Sequence, residues 1–130
     1  MTGCHATGNV SGGGNYVGGV VGVNLRGIVS ACYHAAGDVT GNNYVGGVVG
    51  TNQEGTVTGC YWSVYDGNGI GYGSNGEATK VDGTTITWVD AQSGMNDTIE
   101  TWNGDNLDAP CNWRYAGATE TTPPTLAENK

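Results

Sequence analysis

Phenylalanine is absent from this chain, leucine occurs only at Leu25, Leu107 and Leu126, and isoleucine is nearly as scarce. A helix bundle packed along broad aliphatic stripes has little to build with here. The apolar residues that remain are mostly Val, Ala, Tyr and Trp, which suit a pleated surface. Positive charge is equally short. Arg26, Lys80, Arg114 and Lys130 face 12 acidic residues, giving a net charge of −8. With no basic stripe, nucleic acid and anionic membranes are not expected partners. No run approaches the ~20 apolar residues of a membrane span, so no membrane insertion is expected. Met1 leads straight into Thr2, Gly3 and Cys4 with no signal peptide, and the chain reads as the C-terminal part of something longer.

Glycine is what the chain has in excess, 25 residues of 130. It recurs with Val and Tyr at fixed places, which argues for turns in an ordered structure rather than for disorder. Charge is uneven as well: residues 1–60 carry Asp38, Glu54 and Arg26 alone, and the other acids follow. Two kinds of structure are therefore expected.

The repeat explains the first kind. Gly8–Tyr33 reads GNVSGGGNYVGGVVGVNLRGIVSACY, and Gly37–Tyr61 reads GDVTGNNYVGGVVGTNQEGTVTGCY. From Asn15 to Tyr33 the two align without a gap at an interval of 28 residues, and Cys4, Cys32 and Cys60 fall on the same interval. One unit cannot bury a hydrophobic face, but stacked units can. Parallel stacking in register would set Tyr16 over Tyr44, Asn24 over Asn52 and Val29 over Val57, about 4.8 Å apart. The expected fold is all-β: a short glycine-rich β-solenoid, or β-helix, of about two to three coils over residues 1–62. Antiparallel hairpins, one set per repeat, satisfy the same period and remain the alternative. Strand alternation puts Val29, Val57, Tyr33 and Tyr61 on the interior face and the cysteines on the other, unless a bulge at Ala31/Gly59 shifts the parity.

The pattern N-Y-V-G-G-V-V-G-x-N-x-x-G-x-V-x-x-C-Y, followed by A-x-G-[ND]-V-[ST]-G, resembles the GLUG-motif repeats over roughly residues 3–62. That resemblance implies a large secreted or surface protein of bacteria, notably gut Bacteroidetes, and hence an extracellular or cell-surface location. It also implies a stalk-like or adhesin-like role, without shared catalytic residues.

From Trp62 the period is lost, and residues 63–130 are expected to form a small α+β cap over the edges of the last coil. Asp66–Gly76 reads as a loop and Thr84–Val89 as a strand. Asp90 would cap a helix near residues 90–102, with Ala91, Met95, Ile99 and Trp102 on one face. Cys111–Tyr115 would be a last strand and Thr121–Leu126 an extended tail.

Catalysis finds little to work with. Asp38 and Glu54 lie on different strands without counterparts in the other copy, so no paired-carboxylate site is expected, nor an enzyme. Asp66, Asn68 and Glu77 match three positions of a calcium loop, but Ile70 occupies a ligand position, so calcium is weighed against a plain exit loop and no other cofactor is expected. His5 and His34 both stand three residues before a glycine and would stack, as a metal pair or as a turn position that holds His twice. Cys4, Cys32 and Cys60 read as packed spacers, Cys60 with Cys111 as a conceivable disulfide, and Asn24 with Asn52 as an inter-coil ladder. Tyr16, Tyr44 and Trp62 could be a sugar platform or core packing. The function expected is a structural, adhesin-like repeat module, or a carbohydrate-binding module using those tyrosines. The partner is a glycan or a host-surface protein, beside the remainder of a longer parent chain.

Overall fold

The computed structural model describes residues 1–73 and 76–128. Part of the expected Asp66–Gly76 loop, residues 74–75, lies outside the described residues. The first repeat forms β1 (His5–Thr7), β2 (Val10–Ser11), β3 (Val17–Gly18), β4 (Val21–Leu25) and β5 (Ile28–Ser30). The second forms β6 (Tyr33–Ala35), β7 (Val39–Thr40), β8 (Val45–Gly46), β9 (Val49–Gln53) and β10 (Thr56–Trp62). After these come β11 (Ile70–Gly73), β12 (Gly76–Lys80), α1 (Trp88–Asp105), β13 (Trp113–Ala116) and β14 (Thr125–Glu128). The chain is mostly β with one helix.

Every pairing between the two repeats is parallel. Asn24 sits on Asn52, Val21 on Val49, Val29 on Val57 and Tyr33 on Tyr61. Sheet order is β1-β6-β10-β12 with β5 also on β10, and β11-β9-β4 in a second sheet. The shorter pairs β2-β7 and β3-β8 complete the ladders.

The turns repeat along with the strands. Positive φ recurs at Gly3, Ala31 and Gly59, at Gly8, Ala36 and Val64, and at Arg26 and Glu54. Only some of these are glycine, so the stacked strands on either side impose the left-handed turn on residues that disfavour it. The turn at Ala31/Gly59 also settles the facing of the cysteines. It flips the strand parity, so Val29 and Cys32 both point inward although they are three residues apart, and so do Val57 and Cys60. Tyr33 and Tyr61 then face the other way, which corrects their expected interior placement.

The glycine pair of N-Y-V-G-G has two separate steric reasons. A Cβ on Gly18 or Gly46 would lie 2.0 Å from the carbonyl oxygen of Val21 or Val49, where the chain turns back on itself. A Cβ on Gly19 would lie 2.6 Å from Cγ of His34, and one on Gly47 would lie 2.4 Å from Cγ of Trp62. The second glycine thus makes room for a large inward ring on the facing strand.

Strand pairing outlasts the sequence period. Ile70 pairs with Val49, and Ala78 with Cys60, so the chain adds a third layer that comes round in fewer residues than the repeats do. Two apolar clusters result. Val29, Cys32, Val48, Val49, Val57, Cys60 and Trp62 form one buried cluster on the inner face of the repeats. Ala31, Tyr33 and Ala35 instead meet Trp88, Ala91, Met95, Ile99 and Tyr115 on the outer face of the sheet.

The helix therefore lies along the side of the β1-β6-β10-β12 sheet, not over the last coil. Its neighbours run from Gly3, beside Ile99 and Cys111, through Gly59, beside Thr98, to Tyr61, whose hydroxyl meets Gly94. Tyr115 fixes the arrangement by donating to the carbonyl of Ala31 at 2.7 Å, with Cys4 O at 2.9 Å. Asn96 holds β13 from the helix side, accepting from Tyr115 N at 2.8 Å and donating to Tyr115 O at 2.9 Å. β13 pairs antiparallel with β14, a strand over Thr125–Glu128 that begins inside the expected extended tail.

The helix is longer at both ends than expected, and Asp90 is not its cap. Thr87 is, through a capping box in which the Thr87 hydroxyl accepts from Asp90 N and the Asp90 carboxylate accepts from Thr87 N. The expected strand over Thr84–Val89 does not form. Asp82 instead gathers the N–H groups of Thr84 and Ile86 into a turn that leads to the cap. Those bonds, Thr84 first, hold the Asp82 carboxyl below the usual carboxylate range. Thr87→Ala should lower stability by about 1 kcal/mol, measured by urea unfolding. An unchanged midpoint would mean the box contributes nothing.

Candidate functional site

Tyr16 and Tyr44 point outward, with 51% and 41% of their surface exposed, and their rings stack at 5.5 Å and 8° between planes. Tyr72 from β11 joins them, its ring 4.9 Å from that of Tyr44 and tilted by 55°. It pairs in register with Thr51, so it enters the ladder from a neighbouring strand, and sequence alignment of the repeats does not reveal it. The ladder is uncharged and is edged by Asn15 and Asn43, whose amides bond at 3.1 Å. Its geometry limits its chemistry: Tyr44 has a ring on each side, and Tyr16 and Tyr72 have one ring neighbour each.

Trp62 does not belong to this surface. It is only 6% exposed, fills the space left by Gly47, and donates its indole N–H to Tyr65 O at 3.0 Å. Inward facing alternates along β10, so Trp62 shares the interior with Cys60 while Tyr61 turns toward the helix. The expected role of Trp62 in ligand contact is corrected on that ground.

The two histidines are also separated. His5 pairs with Tyr33, its ring stacked on the phenol at 5.0 Å, whereas His34 pairs with Ala6 on the opposite face. The extra residue of the second repeat falls after this strand, near Gly37, so counting back from the glycine misaligns the two histidines by one position. His34 is fully buried; its Nε2 donates to Gly8 O at 2.7 Å while Nδ1 has no partner among the described residues. Among the described residues, no three His, Cys, Asp or Glu side chains gather as a metal site. Asp66 lies 3.3 Å from the Lys80 ammonium, Asn68 gives its backbone carbonyl to Gly47 N, and Glu77 is exposed on β12.

All four cysteines are free thiols. Cys4, Cys32 and Cys60 form an inward column, and Cys111 lies beside Gly3 on the helix side of the sheet, so no Cys60–Cys111 disulfide forms. The hydrogen bond with Cys60 and burial both push the Cys32 thiol up, and burial does the same to Cys4. Such thiols stay protonated and act as packing. Asn24 donates to the Asn52 side chain at 2.8 Å, and each also bonds a turn carbonyl, Gly27 O at 3.1 Å and Gly55 O at 3.0 Å. These amides stabilise the turn of each repeat and tie the two turns together.

A second concave region was not foreseen. A groove of about 210 Å³ runs between Ile28 and Thr58 on one side and Thr98, Thr101, Trp102 and Asp105 on the other. Trp102 is the one helix-face aromatic that the sheet leaves half open.

These features define a repeat protein: parallel, in-register strands joined by recurring turns. Residues 41–64, which span β8 to β10, match the family model of the GLUG motif. No curated protein and no solved structure matches the chain. Among the described residues, no helix is long and apolar enough to cross a membrane.

Proposed function

We propose that the chain is a non-catalytic terminal module of a larger repeat protein, a β-solenoid that ends a stack of GLUG-type coils in an adhesin-like secreted or surface protein of bacteria. The observation that carries the reading is the unequal burial of equivalent positions. Val48, Val49 and Thr51 are wholly buried in the second repeat, whereas their first-repeat counterparts Val20 and Val21 are half-buried and Val23 is 47% exposed. Cys32 is likewise wholly buried where Cys4, 28 residues earlier, is half-buried. The first repeat thus has the inward residues of an interior coil without a neighbour on its far side. At the other end the third layer is shorter, which tapers the stack and leaves less edge to cover. A further coil of the same pattern complements the first repeat in register, pleat and turn geometry.

Duplicating residues 1–28 ahead of Met1 tests this, because Ile28 then leads into Met1 in the repeat register. The longer chain should melt at a higher temperature and show a larger urea m value. An unchanged or lower melting point, with the added segment cut at once by protease, would overturn the reading.

Carbohydrate binding is the second reading. Its support is an uncharged exposed aromatic ladder on a chain whose charge of −8 disfavours polyanions. A neutral glycan, or a host-surface protein that bears one, suits such a surface.

A further inference from the structure

We propose that the groove between β5, β10 and the C-terminal half of α1 is a subsite for one unit of a neutral saccharide, with Trp102 as its stacking platform. The inference rests on the carbohydrate-binding reading and moves the site away from the tyrosines. Tyr16 and Tyr72 flank Tyr44 on both sides and leave open faces only at the two ends of the ladder, whereas a sugar stacks through its C–H face on an open aromatic face. Trp102 is half-buried, and its neighbours across the groove, Ile28 and Thr58, are exposed.

The polar lining has the right sense for hydroxyl groups. Thr98 donates its hydroxyl hydrogen to Gly94 O at 2.9 Å, and Thr101 donates to Asp97 O at 3.1 Å. Both oxygens keep lone pairs that accept from a ligand. Asp105 adds a carboxylate in the last turn of α1, where the partial negative charge of the helix end also favours donors. Thr58 is exposed and turns a hydroxyl that can donate or accept into the groove wall. The groove has no Lys, Arg or His in its wall, so an anionic ligand would meet Asp105 without compensation. A purely apolar ligand would leave the hydroxyls without partners. Depth depends on Gly59, where a Cβ would come within 2.1 Å of Thr98 Oγ1 and push the helix outward.

The test is a two-dimensional NMR titration of the full chain with lactose, cellobiose and chitobiose, with glucuronic acid as the anionic control. The expected result is a shift of the Trp102 indole N–H and of the Thr58, Thr98 and Thr101 amides with at least one neutral probe, and none with glucuronic acid. Trp102→Ala should weaken binding roughly tenfold or more. Thr58→Val and Asp105→Asn should weaken it a few-fold while leaving the fold intact, which guards against a Trp102 variant that loosens α1. Gly13→Ala, whose Cβ meets nothing within 4 Å, should leave the affinity unchanged. Shifts confined to the tyrosine ladder, or an affinity insensitive to all three groove variants, would overturn the groove and keep the carbohydrate reading. Silence of the whole spectrum with every neutral probe would overturn both.

Discussion

Tyr115→Ala should cost about 3–5 kcal/mol and free the β13–β14 hairpin from the sheet. The ring is wholly buried among Tyr33, Ile99, Met95 and Ala31, with the Tyr33 ring centred 5.6 Å away. Its hydroxyl also reaches both Cys4 O and Ala31 O, two successive levels of the sheet. Tyr115→Phe keeps the ring and removes the hydroxyl donor from Ala31 O, while Cys4 O keeps the N–H of Tyr33, so it should cost about 1–3 kcal/mol. Urea unfolding of the three proteins checks both figures. A loss below about 1 kcal/mol for the alanine variant would show that the C-terminal segment is an appendage. Alkaline pH should act in the same direction. Burial pushes the Tyr33 phenol up from 10.0 to about 12 and raises Tyr115 as well. Both phenols favour the folded state while neutral. That contribution is complete below about pH 10, the unfolded phenol value, and is lost as pH rises toward and through the folded values.

Gly46→Ala should be as damaging, at about 3 kcal/mol or more, although it adds a single methyl group. The new Cβ would lie 2.0 Å from Val49 O and 2.8 Å from both Gly69 O and Gly71 N. All three are backbone atoms, two of them in the next layer, so relief requires two layers to separate. Gly13→Ala is the matched control, because a Cβ there meets nothing within 4 Å. Its effect should stay within about 0.5 kcal/mol. Thermal melts decide the matter. Equal midpoints for the two variants would mean that the glycine pair is not sterically required.

The parallel register is the part of the fold most legible in the sequence. Identical residues at a fixed interval leave few ways to bury Val29 and Val57, or to pair Asn24 with Asn52, other than one above the other. The helix was legible too, from Ala91, Met95 and Ile99, but its start was not. Asp90 and Thr87 are both good capping residues, and the choice depends on which N–H groups the local turn leaves free. The facing of the cysteines turned on one left-handed residue at Ala31/Gly59. The third layer left almost no trace in the sequence, because β11 and β12 pair through backbone groups and retain few of the repeat's side chains.

The candidate surfaces divide the same way. Tyr16 and Tyr44 could be placed over one another by arithmetic, but whether they faced core or solvent depended on turns that the alternation rule does not describe. Trp62 and Trp102 exchanged roles for that reason, one inward through Gly47 and the other half open beside Thr58. The sequence by itself determined a β-rich repeat with a period of 28 residues and the register that parallel stacking would take, since identical residues at a fixed interval fall on one another. The choice of parallel layers over antiparallel hairpins came from the structure. Tertiary structure alone decided where α1 and the C-terminal hairpin lie. Their position is set by non-repeating contacts, chiefly Tyr115 and Asn96 against the outer face of the sheet, and contacts between segments far apart in the chain leave no period to read.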